Sequence, residues 1–358
     1  MPSFTHYLAA TLASITSASA TGVLLPLYTW PSEGAWDPVY DALAAYPEVD
    51  FYVIVNPNSG PGDSSPPASE YITGVTTLNS YANAHTIGYV RTNWADRDMD
   101  DVKQDIDVYS QWASYSGSGS GSDSSSSSTT TAKKRAQRAR RFRSPCSNQD
   151  TYTDTAEDTG TEPIATASTS TTGFVTTTTS TVATPTYTSS TSTPAPSSTG
   201  TPANQNTGIT LSGIFFDEAP QSSDESDLSF MQEAAEYVSS HSAHFPSTSN
   251  TTIIFNPGTA PDTQYFNYAT HIVDFESTYD AWLGSEQKSG AGGLIDGVEE
   301  SDYTQSAIII NSVPGDVDYA AVVAAAVERG VAMVYLTGDF DYKNLGSVGD
   351  VAAAILGA

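Results

Sequence analysis

The chain has 358 residues, with 41 Asp and Glu against 13 Lys and Arg and a formal net charge of −28 at pH 7. So acidic a surface repels phosphate backbones, which excludes nucleic acid as a partner and suits neutral or cationic ones such as an amino sugar. Its one cysteine, Cys146, excludes an intramolecular disulfide and a cysteine-based metal site, so a folded domain here is held by its core alone.

The N-terminus carries a short apolar segment, Tyr7–Ile15, followed by Ser-Ala-Ser-Ala at 17–20. That small-residue ending predicts a signal peptide over 1–20 and an exported, secreted or cell-wall-associated protein. No other apolar run approaches the roughly 18 residues that cross a bilayer, so no membrane span is expected. From residue 21 a short apolar, β-branched run ending in Gly, Pro, Asn or a carboxylate recurs eight times: Gly22–Trp30, Asp50–Gly60, His85–Trp94, Ile209–Pro220, Thr252–Gly258, His271–Ser277, Ala307–Gly315 and Val331–Asp339. Such runs fit buried parallel strands. Helical spacing fills the intervals, at Trp36–Tyr46, Tyr71–Asn83, Asp100–Tyr115, Leu228–Ser240 and Asp318–Arg329, and Asp350–Leu356 ends the chain. After the fifth and sixth strands the helical segments are slighter: Thr263–Ala269 is short, and Tyr279–Leu283 runs into a Gly-rich stretch. Alternation to a count of eight, with no G-x-G-x-x-G turn after the first strand, predicts an α/β fold of the closed (β/α)8, TIM-like kind rather than an open doubly wound sheet.

Residues 116–207 break the pattern with Ser/Gly, a basic KKRAQRARRFR run at Lys133–Arg143, and long Ser/Thr/Pro tracts. Too few apolar side chains are present to offset ordering entropy, so a disordered, Ser/Thr-rich insert is expected, of the composition of O-glycosylated stalks. The basic run reads as a charged spacer or a processing site. The barrel therefore divides into a first part, 21–115, and a second, 208–358. The insert falls between the third helix and fourth strand, on the face away from the chemistry, as does the sequon at Asn250.

Working residues in such barrels stand at the C-terminal strand ends. Those ends offer Tyr28 and Trp30, then Asn56, then Arg91, Asn93 and Trp94, then Asp217 and Glu218, then Asn256, Asp274 with Glu276, Asn311, and Tyr279 just past the sixth strand. Asp217 and Glu218 close a buried apolar run, where an unpaired charge is costly unless it has a partner or a task. Regular alternation turns only one of them inward, although a strand end can relax this. Asp274 and Glu276 are two apart and share a face if the strand stays regular. Carboxyls from the fourth and sixth strands can face each other across the mouth, and glycoside hydrolysis needs such a pair. Asp224 and Asp318 read as helix caps instead. The aromatics offer surfaces on which sugar rings stack, Arg91 a partner for a carboxylate, and the asparagines hydrogen bonds to sugar hydroxyls. No histidine metal spacing, G-x-S-x-G elbow or P-loop appears, so neither metal nor other cofactor is expected.

These same residues carry a resemblance. LLPLYTWP (Leu24–Pro31), NPNSGPG at 56–62, the FFDE strand, and VDFE with the Tyr and Trp282 that follow resemble the spherulin-4 family, also called spherulation-specific family 4. The resemblance implies a (β/α)8 glycoside hydrolase similar to fungal enzymes that cleave α-1,4-linked amino-sugar stretches of galactosaminogalactan. It also implies functional acids at Asp217, Glu218 and Glu276, with Asp217 and Glu276 as the catalytic pair and Glu218 orienting a partner or binding substrate. The expected protein is a monomer acting on a polysaccharide. The alternative is a non-catalytic carbohydrate-binding or cell-wall barrel, since a fold does not fix an activity.

Overall fold

The computed structural model describes residues 21–62, 66–115, 209–245, 251–288 and 294–358. The chain divides into two units, and every described residue belongs to the first, Met1–Gly121 with Asn204–Ala358. The expected signal peptide, the Ser/Thr-rich insert with its basic run, and the sequon at Asn250 lie outside the described residues.

Eight parallel strands close into a barrel in sequence order: β1 (Gly22–Leu27), β2 (Phe51–Val55), β3 (Ala84–Arg91), β4 (Gly213–Asp217), β5 (Thr252–Asn256), β6 (His271–Thr278), β7 (Ser306–Asn311) and β8 (Met333–Leu336). Around them stand α1 (Asp37–Ala45), α2 (Ser69–Leu78), α3 (Met99–Gln111), α4 (Glu225–Ser240), α5 (Tyr279–Lys288), α6 (Tyr319–Glu328) and α7 (Val348–Gly357). Both faces of the sheet are covered, which is why the strands read as unbroken apolar runs such as GVLLPL and SAIIIN. The interval after β5 departs from expectation. Thr263–Asn267 forms only a 3-10 helix, started by Asp262 accepting from the Gln264 amide at 3.0 Å. One turn of α-helix is a costly nucleus, and a segment this short does not propagate past it.

Packing fixes the strands tightly. A Cβ on Gly213 would sit 1.8 Å from the Thr252 carbonyl oxygen, so β4 meets β5 closely enough that only glycine fits at its start. The helices show the amphipathic burial their spacing predicts: Val102, Ile106 and Tyr109 of α3 are buried, as is Trp112 just beyond it. Asp318 caps α6 by accepting from the Ala320 amide at 3.0 Å, and Asp224 sits at the N-cap of α4. At the N-terminal end of β4 the amide of Ile209 donates to the Tyr115 carbonyl at 2.9 Å, which ties together the two points where the described chain leaves and returns. Among the described residues, no helix is long and apolar enough to cross a membrane.

Candidate active site

The buried run Ile214–Phe216 carries β4 to the mouth, where Asp217 lies in register beside Asn256 of β5. Asn256 is 6% exposed, and its Nδ2 donates to Asp217 Oδ1 at 2.8 Å and to Glu276 Oε2 at 2.6 Å. One amide thus joins carboxyls from β4 and β6. Two oxygens bound to the same nitrogen cannot lie further apart than those two distances laid end to end. Each carboxyl has a second donor: the Tyr89 hydroxyl donates to Asp217 Oδ2 at 2.5 Å, and the Tyr342 hydroxyl to Glu276 Oε1 at 2.6 Å. Tyr28 meets both of those rings edge-on, at 5.8 and 6.0 Å, and so holds the two donors on either side of the floor. Asn311, 5% exposed, supports the Tyr342 hydroxyl through Nδ2 at 3.3 Å.

Electrostatics follow from this crowding. Burial, and after it the charge of Glu276, push the Asp217 carboxyl up to about 6. The Tyr28, Tyr89 and Tyr342 hydroxyls are all pushed up, by burial first and then by the carboxylates beside them. They therefore remain donors throughout the neutral range.

Glu218 shares the mouth with Asp217 after all. Strand β4 ends at Asp217, and Glu218 takes a left-handed conformation (φ 54°) that breaks the alternation. Its Oε2 accepts from Arg91 Nε at 2.5 Å, while Arg91 Nη2 donates to Asn93 Oδ1 at 2.8 Å. Thr92 Oγ1 lies 2.9 Å from the Asp217 carbonyl and 2.7 Å from that of Glu218. The β3 end is equally unusual: Asn93, Trp94 and Ala95 are all left-handed, and the Trp94 amide donates to the Glu218 carbonyl at 2.6 Å. Backbone in this region is uncommon away from glycine and persists where its surroundings over-determine it.

The other expected residues divide. Trp30 and Trp94 are exposed on the rim, and Tyr279 is half-buried at the start of α5. Asn56 uses its Oδ1 to accept from the Gly60 amide at 3.2 Å, and so shapes the turn after β2. Asp274 corrects an expectation: it is 1% exposed and does not reach the mouth. The β6–β7 register shifts between Val273 and Phe275, so Asp274 is the extra residue of a bulge and leaves the face that Glu276 occupies. It bonds to Ser306 Oγ, and burial pushes its carboxyl up to about 8. Tyr89 and Tyr342 were not among the residues the strand ends suggested. Tyr89 lies inside β3, two residues before Arg91 and on the same face, a parity the sequence does carry. Tyr342 comes from a loop with no pattern to mark it. Among the described residues there is no group of three or more His, Cys, Asp or Glu side chains placed to hold a metal ion.

Comparison with known proteins agrees with this architecture. A crystal structure of Aspergillus clavatus Sph3 in complex with GalNAc is similar over 94% of this chain and 98% of that one, with a TM-score of 0.62 and 24% identity, a likeness of fold. Spherulin-4 of Physarum polycephalum is 42% identical over 95 residues, covering 26% of this chain and 27% of that protein. The chain thus matches about a quarter of the length of that curated relative. The model of spherulation-specific family 4 matches residues 22–354, from β1 into α7, and the chain belongs to that family.

Proposed function

We propose that this chain is a secreted or cell-wall-associated glycoside hydrolase that cleaves α-1,4-linked galactosamine and N-acetylgalactosamine polymers within the chain, with retention of configuration. The observation that carries the proposal is the single Asn256 amide joining Asp217 and Glu276. Retaining glycosidases hold their two carboxyls about 5–5.5 Å apart and inverting ones roughly 6.5–9.5 Å apart. The 2.8 and 2.6 Å bonds to one nitrogen bring one oxygen of each carboxyl close together, which supports the shorter gap. The GalNAc held by Sph3, on the same fold, supports an amino-sugar substrate.

In this reading Asp217 is the acid, because burial and the Glu276 charge keep a proton on it to about pH 6. That proton passes to the glycosidic oxygen as the bond to the anomeric carbon breaks. Glu276, held by the Tyr342 hydroxyl and the Asn256 amide, attacks that carbon and forms the glycosyl-enzyme ester. Asp217, now ionised, takes a proton from water, and the water attacks the same carbon to release Glu276. Arg91 and Glu218 neutralise each other beside the pair and fix the β3 and β4 ends that border it. Trp94 and Tyr279 offer ring faces to the sugars around the cut.

Release of reducing ends from an α-1,4-linked galactosamine polymer, with chitin and an α-glucan as comparators, tests the reading. Asp217→Asn and Glu276→Gln are each expected to abolish release, and the first-formed product of the wild type to keep the α-configuration by NMR. Undiminished hydrolysis by both variants, or a β-configured first product, overturns it. A folded protein that binds the polymer but cuts none of the three is a carbohydrate-binding barrel.

A further inference from the structure

Three tryptophan or phenylalanine side chains among the described residues are exposed by more than a third, and all three stand on loops at the C-terminal face: Trp30 (47%), Trp94 (49%) and Phe340 (60%). The other tryptophans, Trp36, Trp112 and Trp282, are buried. One exposed aromatic is unremarkable in a protein, but confinement of all of them to one face marks that face as a contact surface. Trp30 and Phe340 are on neighbouring loops, after β1 and β8, and two contacts hold those loops side by side. Thr29 Oγ1 donates to the Lys343 carbonyl at 3.3 Å, and the rings of Tyr28 and Tyr342 meet at 6.0 Å. Tyr71 holds the Trp30 ring edge-on at 5.1 Å, so that ring is ordered before anything binds. In an eight-stranded barrel β8 and β1 stand across from β4 and β5, the strands of Asp217 and Asn256.

We propose that Trp30 and Phe340 form a platform for carbohydrate, separate from the point of cleavage, that stacks sugar units further along the chain being cut. It rests on the glycosidase reading for the identity of that chain. The faces of pyranose rings present C–H groups that pack on aromatic faces, and a platform of two rings across the mouth from Asp217 engages units beyond the scissile bond. Charge argues for the same occupant. Phe340 lies between Asp339 and Asp341 on a chain of net charge −28, which repels an anionic lipid surface and accepts a neutral or partly cationic polymer. The loop that carries Phe340 also delivers the Tyr342 hydroxyl to Glu276, so the platform and the catalytic pair are built on one segment.

Two measurements test this. Affinity electrophoresis of Asp217→Asn through gels holding the α-1,4-linked galactosamine polymer reads binding without hydrolysis. Adding Trp30→Ala or Phe340→Ala is expected to weaken retention about tenfold, the scale of one lost aromatic contact, and Phe340→Tyr to restore it. In the active enzyme, Phe340→Ala is expected to lower the ratio of polymer to trisaccharide kcat/KM about tenfold. Unchanged retention in both alanine variants overturns the platform, and so does an equal loss on polymer and trisaccharide. If the wild type cuts no polymer while retention still depends on Trp30 and Phe340, the platform stands and the glycosidase reading falls.

Discussion

Asn256 has two amide N–H groups and commits both to carboxylates, while its Oδ1 is buried with no partner among the described residues. A buried acceptor left unpaired costs about 1–3 kcal/mol, a cost that is natural at a functional site and out of place in a merely structural one. Removing the amide takes a donor from both carboxyls at once. Asn256→Ala is therefore expected to lose about 100-fold in kcat, the scale of one lost preorganised donor. Its pH profile carries a sharper signature. The wild type needs the Asp217 proton, so kcat/KM is expected to fall as pH rises through about 6. Without the donor the ionised form is less favoured, and that limb moves to higher pH. An unmoved limb in Asn256→Ala rules out the bridging role. Tyr342→Phe keeps the ring against Tyr28 and deletes only the hydroxyl on Glu276. Hydrogen bonds to charged groups contribute about 1.5–3 kcal/mol, so a fall in kcat of at least about tenfold is expected from steady-state kinetics, with the melting temperature little changed.

Strand β6 shows how one inserted residue re-aims a functional side chain. Were the strand regular, Asp274 and Glu276 would share a face. The bulge instead sends Asp274 into the protein beside Ser306 and leaves Glu276 at the mouth. Burial raises the Asp274 carboxyl to about 8, against about 3.9 in an unfolded chain. The folded state thus holds a proton that the unfolded state releases. The stability this provides is complete below about pH 4 and is lost as pH rises through about 8. Asp274→Asn has the same shape and does not titrate, so its melting temperature relative to wild type should climb from pH 5 to about pH 8 and level off above it. A constant difference across that range would count against a protonated Asp274. The same element marks what a sequence conceals. Apolar β-branched runs made all eight strands legible, and reading their ends reached Asp217, Glu218, Asn256 and Glu276. A bulge leaves no trace in hydrophobic alternation, so Asp274 was misplaced. Tyr342 was invisible because a loop has no period, and Glu218 was ambiguous because its left-handed turn is a local break in a rule that otherwise holds.

At the scale of the molecule, the excursion between Tyr115 and Ile209 starts and ends at the end of the described barrel remote from its chemistry. The hydrogen bond from Ile209 to Tyr115 brings the stems of that excursion together at the start of β4, the end of the strand remote from Asp217. Closure entropy changes slowly with loop length, by about 0.6 kcal/mol per doubling. Replacing residues 116–208 with a short Gly-Ser turn is thus expected to leave the thermal melt within about 5 °C of the full chain, since stability of this order moves a large domain only slightly. Hydrolysis of a trisaccharide should persist at the wild-type rate, and loss of either would show that the segment contributes to the barrel. The placement of those stems also makes the molecule divisible. Severed between Tyr115 and Ile209, the chain becomes a three-stranded piece and a five-stranded piece, each with two open edges that the other satisfies, through five register pairs at β3–β4 and two at β1–β8. Asp217, Asn256, Glu276 and Tyr342 lie on one piece, while Tyr28, Tyr89 and Arg91 lie on the other. Two separately made halves would then act as a complementation pair, inert apart, with the return of hydrolysis on mixing as the signal that the cylinder has closed.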